Sequence, residues 1–272
     1  MLQEDPVRDM WIVAIVAAVT FFFIIVIEKL WITPGRKKRV KRQTKDYLTG
    51  KFDDLMALRA ILVARKDSGV LLHSYVVECD DNVAVKSPDF LSGVVYAIQN
   101  LGKEMGFQEQ FSRLAYGDYH IVASQGQRCT VILVSRTEPS SILQDNMLLL
   151  VRSFEKKFAP KLQEDTVYVN TGDYEGAISI IRDIFDTFYI ENLNLIYNPD
   201  ATKPEDVTKL GRLVLDHALA HFKKNNSICL KNIFIDMLGS SDADVRKKWT
   251  KDDLVQEMYD LFKANYFTFF NT

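Results

Sequence analysis

"LAYGDYHIVASQGQRCTVILVSR", Leu114 to Arg136, reads as a run of short strands broken twice by turn residues. The breaks are Gly117-Asp118 and Gly126-Gln127: glycine accepts positive φ, and aspartate bonds to its own nearby backbone. The segments between them are rich in β-branched and aromatic residues, so strands are expected near 111–116, 118–125 and 128–135. Working outward, "MALRAILVAR" (56–65) and "VLLHSYVVE" (70–78) form a hairpin closed by Lys66-Asp67-Ser68-Gly69, with residues 46–55 as a short polar connector before it. Ser87 and Pro88 open a helix over 87–105, in which Leu91, Val94, Val95, Ile98, Leu101 and Met105 recur at helical spacing and would face the sheet. After Pro139, "SSILQDNMLLLVRSFEKKF" is a long amphipathic helix that stops before Pro160.

The order β-β-α-β-β-β-α predicts an α+β fold: a five-stranded, mostly antiparallel sheet, parallel only at the crossover, with covering helices. Three segments in succession, "SPDFLSGVVYAIQNLGKEMG", "LAYGDYHIVASQGQRCTVILVSR" and "LLLVRSFEKKFAPKL", resemble the first helix, the meander and the following helix of the longin and roadblock superfamily. The resemblance covers residues 55–163. It implies a non-enzymatic platform that binds a small GTPase or another longin or roadblock subunit, or pairs as a homodimer, in trafficking or signalling. It also implies a partner surface on the outward face of the first long helix, with Tyr96, Gln99 and Lys103, and on the strand at 111–116.

The N-terminus is of another kind. "MWIVAIVAAVTFFFIIVI", Met10–Ile27, carries no charge in 18 residues, which as a helix spans about 27 Å, close to the hydrocarbon thickness of a bilayer. Glu4, Asp5 and Asp9 outnumber Arg8 ahead of it, unlike the basic start of a cleaved signal peptide, so an uncleaved single-pass anchor over 10–32 is expected. Arg36, Lys37, Lys38, Arg39, Lys41, Arg42 and Lys45 follow without an intervening acid. By the positive-inside rule they place the bulk of the chain in the cytoplasm and residues 1–9 outside, and they are suited to anionic headgroups at the membrane surface. The expected organisation is therefore a basic juxtamembrane linker at 33–54, a longin-like domain with an added helix at 55–190, and a helical region at 200–272.

Residues 46–272 hold 25 basic and 32 acidic residues, a net charge of −7, which argues against a broad nucleic-acid surface. Cys79, Cys129 and Cys229 are too few and too scattered for a disulfide framework or a CxxC knuckle, and fit a reducing compartment. Asn225-Asn226-Ser227 is formally a glycosylation sequon that the expected topology keeps from the glycosylation machinery. In the C-terminal part, Ile178, Ile181, Phe185 and Phe188 form one helical stripe, Val207, Leu210, Val214, Ala218 and His221 another, and Thr250 with Asp253 resembles a capping box. The aromatic run "NYFTFF" needs a core or a partner to cover it.

Catalytic signatures are absent from the sequence. There is no GxGxxG, no Gly-x-Ser-x-Gly elbow, and Gly102-Lys103 lacks both the spacing and the following Ser or Thr of a phosphate loop. His217 and His221 have the i, i+4 spacing of metal ligands, which leaves a metal-dependent hydrolase as the alternative reading. Ala218 stands where the zinc-protease motif has its general-base Glu, and neither His73 nor His120 is an obvious third ligand. No cofactor or metal is expected, and the chain reads as a binding module and not an enzyme.

Overall fold

The computed structural model describes residues 33–77, 87–105, 113–163, 171–196, 207–239 and 249–269. The apolar run Met10–Ile27, Cys79 and the expected extracytoplasmic residues 1–9 lie outside these. Among the described residues no helix is long and apolar enough to cross a membrane. The chain divides into two units, Met1–Tyr47 and Leu48–Thr272. Of the first, the described residues 33–47 are helical.

The second unit is built on a five-stranded sheet. Helix α1 (Thr33–Ala57) runs into β1 (Leu58–Arg65), which turns into β2 (Leu71–Val76). Helix α2 (Pro88–Glu104) crosses to the meander β3 (Arg113–Tyr116), β4 (Tyr119–Gln125) and β5 (Cys129–Ser135), and α3 (Ser141–Lys157) follows. The spatial order is β2-β1-β5-β4-β3. Every neighbouring pair is antiparallel, with Ile61 opposite Leu133, Val122 opposite Leu133 and Leu114 opposite Ile121. The parallel pair expected at the crossover therefore does not form. β2 and β3 do run the same way, but the insertion of β5 beside β1 leaves them at opposite edges of the sheet.

Gly69 closes the first hairpin at φ +70, and Gly117 the β3–β4 turn at φ +57. At Gly69 the need is doubled, because a Cβ there would stand 2.5 Å from Cβ of Tyr96.

The two faces of the sheet are unequal. One carries Ile61, Val63, Leu72, Tyr75, Val131 and Leu133 into the main core. Helix α3 covers that face with Leu143, Met147, Leu150, Val151 and Phe154, after Ser140 caps its start by accepting from the Leu143 amide at 3.3 Å. The other face combines Leu62, Leu71, Ile121, Ile132 and Val134 with the smaller Ala60, Ala64 and Ala123, and receives α2.

Residues 46–55 are not a polar connector. From Leu48 onward they belong to the core as the last turns of α1, with Leu48, Phe52 and Leu55 buried. The expected linker at 33–54 thus ends inside the fold. Phe52 packs at 4.9 Å from the Tyr189 ring and 4.6 Å from that of Phe234. Three polar contacts tie the same turns to the rest of the unit: Lys51 Nζ to Asp186 at 2.6 Å, Thr49 Oγ1 to Asp252 at 2.9 Å, and Asp54, which accepts from the Ser140 amide at 3.2 Å and from its hydroxyl. Burial raises the Asp54 carboxyl above its usual range, against the lowering effect of the Ser140 hydrogen bonds.

The C-terminal part shares this core and is not purely helical. After α4 (Ala159–Gln163) come α5 (Ala177–Phe185), β6 (Leu193–Leu195), α6 (Lys209–Asn225), α7 (Leu230–Gly239), α8 (Lys251–Lys263) and β7 (Phe267–Phe269). β6 and β7 pair antiparallel, and Leu193 also bridges to Ile228. The expected stripes are buried at Ile181, Phe185 and Phe188 and at Leu210, Val214 and Ala218, and Phe267 of the aromatic run is buried as well. Thr250 and Asp253 form the reciprocal capping box, with the Thr250 amide donating to Asp253 at 2.9 Å and the Asp253 amide to Thr250 Oγ1 at 3.2 Å.

Candidate partner-binding surface

Helix α2 turns apolar residues both toward the sheet and away from it. Its buried residues are Ser92, Val95 and Gln99, two of them polar, and Leu91 packs partly buried beside them. On the opposite side Phe90 is 74% exposed, Leu101 57% and Met105 61%. Residues 90, 94, 97, 101 and 105 follow the i, i+4, i+7, i+11, i+15 spacing of one helical stripe, and Val94 and Ala97 complete it. A soluble chain seldom turns a contiguous apolar stripe outward without something to cover it.

The edge strand continues the apolar character on the same side of the sheet. Leu114 of β3 packs on the α2 side, and Tyr116, two residues on and hence on the same face, is 77% exposed. Among the described strands β3 pairs only with β4, so its outer backbone edge is open to a further strand. Arg113 holds the start of β3 in place: its guanidinium donates to Glu138 at 2.6 Å and to Gln144 at 3.0 Å.

The residues singled out from sequence fall differently from expectation. Gln99 is not outward but only 6% exposed, facing the sheet. Tyr96 lies on the flank of α2, where its ring covers Gly69 and its hydroxyl donates to the Asp67 carbonyl, closing the β1–β2 turn. Lys103 is exposed as expected. Leu101 and Met105, expected to face the sheet, face away from it. The helix is thus turned by about 100°, the angular step of one residue. Val95, with Leu91 beside it, packs on the face made by Ala60, Leu62, Ala64, Ile132 and Val134, and α2 carries more apolar residues than one stripe can hold. Tyr116 lies in the strand expected at the partner surface but was not singled out, and Phe90 was missed; the signal for Phe90 was the second apolar stripe, at a different phase, in the same helix.

Arg36, Lys37, Lys38, Arg39, Lys41, Arg42 and Lys45 all fall within helix α1. His217 and His221 lie on α6, and among the described residues no third ligand joins them. His221 Nε2 is instead paired with Asp236 of α7 at 2.7 Å, and among the described residues no group of three or more His, Cys, Asp or Glu could hold a metal ion. Cys129 and Cys229 are buried and unbridged. Burial pushes the Cys129 thiol well above its usual range, which disfavours the reactive thiolate.

Fold and surface together define an α+β domain with a wholly antiparallel sheet, one face packed in a helical core and one carrying a helix with an exposed apolar stripe. Among solved structures the chain is similar to the Roadblock/LC7 domain from Streptomyces avermitilis, at 16% identity over 40% of this chain and 88% of that one, with a TM-score of 0.30. It is also similar to Myxococcus xanthus MglB, at 18% identity over 43% of this chain and 86% of that one, with a TM-score of 0.29. No family model matches the chain, and no curated protein matches it. The fold assignment rests on the strand order and register and not on these likenesses.

Proposed function

We propose that this protein is a membrane-tethered interaction module whose α2–β3 surface docks a protein partner next to the bilayer. The observation that carries the reading is the exposed apolar stripe of α2, with Phe90, Leu101 and Met105 outward while the polar Ser92 and Gln99 are buried. Specific protein interfaces bury roughly 800 Å² per partner around a small cluster of energetic anchors, and the stripe with Tyr116 supplies such anchors. The partner class follows from the sequence resemblance: a small GTPase, or another subunit of longin or roadblock type, including a second copy of this chain.

The apolar run at 10–32 is the anchor in this reading, and the basic cluster from Arg36 to Lys45 lies against anionic headgroups on its cytoplasmic side. Tethering confines partner and module to one surface, so a modest intrinsic affinity suffices for stable recruitment. The role is positional and not catalytic.

The test is co-purification with cross-linking from the detergent-solubilised full-length chain, comparing the native protein with a Leu101→Lys, Met105→Lys variant. Recovery of a small GTPase or longin-type subunit should fall at least about tenfold, the loss of ~1.4 kcal/mol expected on removing interface anchors. The thermal midpoint should barely move. Exchanging residues 10–32 for an unrelated anchor should leave recovery intact. Equal recovery by the native and double-variant proteins would sink the assignment of this surface.

A further inference from the structure

A pocket of about 10 Å³ lies between α2 and the sheet, with Ala64, Gly69, Ser92, Tyr96, Gln99 and Thr130 in its lining. Gln99 Nε2 and Thr130 Oγ1 are buried and have no hydrogen-bond partner among the described residues. Both residues are more than nine-tenths buried. Ser92 gives its hydroxyl proton to the Asp89 carbonyl at 2.8 Å and so retains acceptor capacity. The lining therefore offers an amide donor, a hydroxyl acceptor and a second hydroxyl that can serve either way. Buried polar groups in native proteins are almost always satisfied, by protein or by ordered water. A space of this size with two to four polar partners holds a single water.

We propose that one water molecule occupies this pocket, accepting from Gln99 Nε2 and donating to Ser92 Oγ and Thr130 Oγ1, and that this hydrated seam fixes the rotational phase of α2. The second half of the proposal follows from the helix itself. Its apolar residues would allow a rotation of one residue that brings Val94 and Leu101 toward the sheet. That rotation would take Ser92 and Gln99 away from Thr130 and leave the water without its partners. The native phase is the one in which the seam is satisfied, and it is also the phase that presents Phe90, Leu101 and Met105 outward.

The experiment is nuclear magnetic resonance on the detergent-solubilised full-length chain, deuterated and labelled with ¹⁵N-glutamine. A long-lived bound water should give a direct cross-relaxation peak between water and the Gln99 side-chain amide. The peak should be lost or several-fold weaker in Thr130→Val, which keeps the side-chain shape and removes the hydroxyl, and in Ser92→Ala. Absence of the peak from the native protein overturns the proposal. So does a peak of equal strength in both variants, since the water would then not be held by this seam. In the variants that lose it, cysteine-scanning accessibility at Leu101 should also fall as α2 rotates; unchanged accessibility would overturn the phase-setting role.

Discussion

Phe52→Ala tests whether the end of α1 is core or connector. Phe52 is fully buried and contacts Tyr189 at 4.9 Å and Phe234 at 4.6 Å, so it bridges the residues after α5 and helix α7. Truncating a buried phenylalanine costs about 3–5 kcal/mol when the cavity cannot collapse. Each lost aromatic contact contributes roughly 0.5–1.5 kcal/mol beyond area alone, which places this site in the upper half of the range, near ~4 kcal/mol. That is a large part of the 5–15 kcal/mol typical of a folded domain. Phe52→Leu, which keeps most of the volume, should cost about half as much or less. The assay is urea denaturation of the full-length chain followed by near-ultraviolet circular dichroism, with the midpoint shift at constant m-value giving the loss. A loss below about 1 kcal/mol, the level of an average substitution, would refute the placement of residues 48–57 in the core.

Gly69→Ala should destabilise more than Gly117→Ala as measured by thermal midpoint: both have positive φ, but only at Gly69 would a new Cβ meet Tyr96. Lys51→Met should cost roughly 3 kcal/mol, because it strands the Asp186 carboxylate where the two side chains are only 9% and 20% exposed; adding Asp186→Asn should recover part of it in a double-mutant cycle. His73 supplies a pH dependence: burial lowers its folded pKa below the ordinary imidazole value of about 6.5, so the unfolded chain takes up the proton first and stability falls as pH drops from about 6.5 through the folded pKa. The stability difference between native protein and His73→Gln should shrink over that window when both are titrated by denaturant melts. The raised pKa of Asp54 and of Glu257 acts in the opposite sense and is common to both proteins, so it cancels in the difference.

Features set by local chemistry could be read from the sequence. The turns at Gly69 and Gly117, the capping box at Thr250 and the strands of the meander each depend on a few adjacent residues, and the structure places them where periodicity and turn chemistry predict. The phase of α2 was not legible in this way, because it depends on a face assembled from residues 60, 62 and 64 of β1, 121 and 123 of β4 and 132 and 134 of β5, which only the finished sheet brings together. The burial of Gln99 follows from the same face. β6 and β7, three residues each, are too short to show a period at all, and nothing near Phe52 announces that its neighbours lie at 189 and 234. The candidate surface was therefore half legible: the elements α2 and β3 were foreseen, whereas the residues that face outward on α2 were mostly not.

The pairing of β6 with β7 also governs the order in which the molecule can be made. The sheet from β1 to β5 is complete once residue 135 has been synthesised, but Leu195 waits for Phe267 and Leu193 for Phe269. At roughly 5–20 residues per second the ribosome needs about 4–15 s to cover the intervening stretch. Through most of that interval Phe188, Tyr189 and Leu193 have neither α8 nor β7 to close over them. A nascent chain of this protein therefore passes through a defined period as a finished sheet with an open apolar flank, and it is during that period that a chaperone or a premature partner would find it.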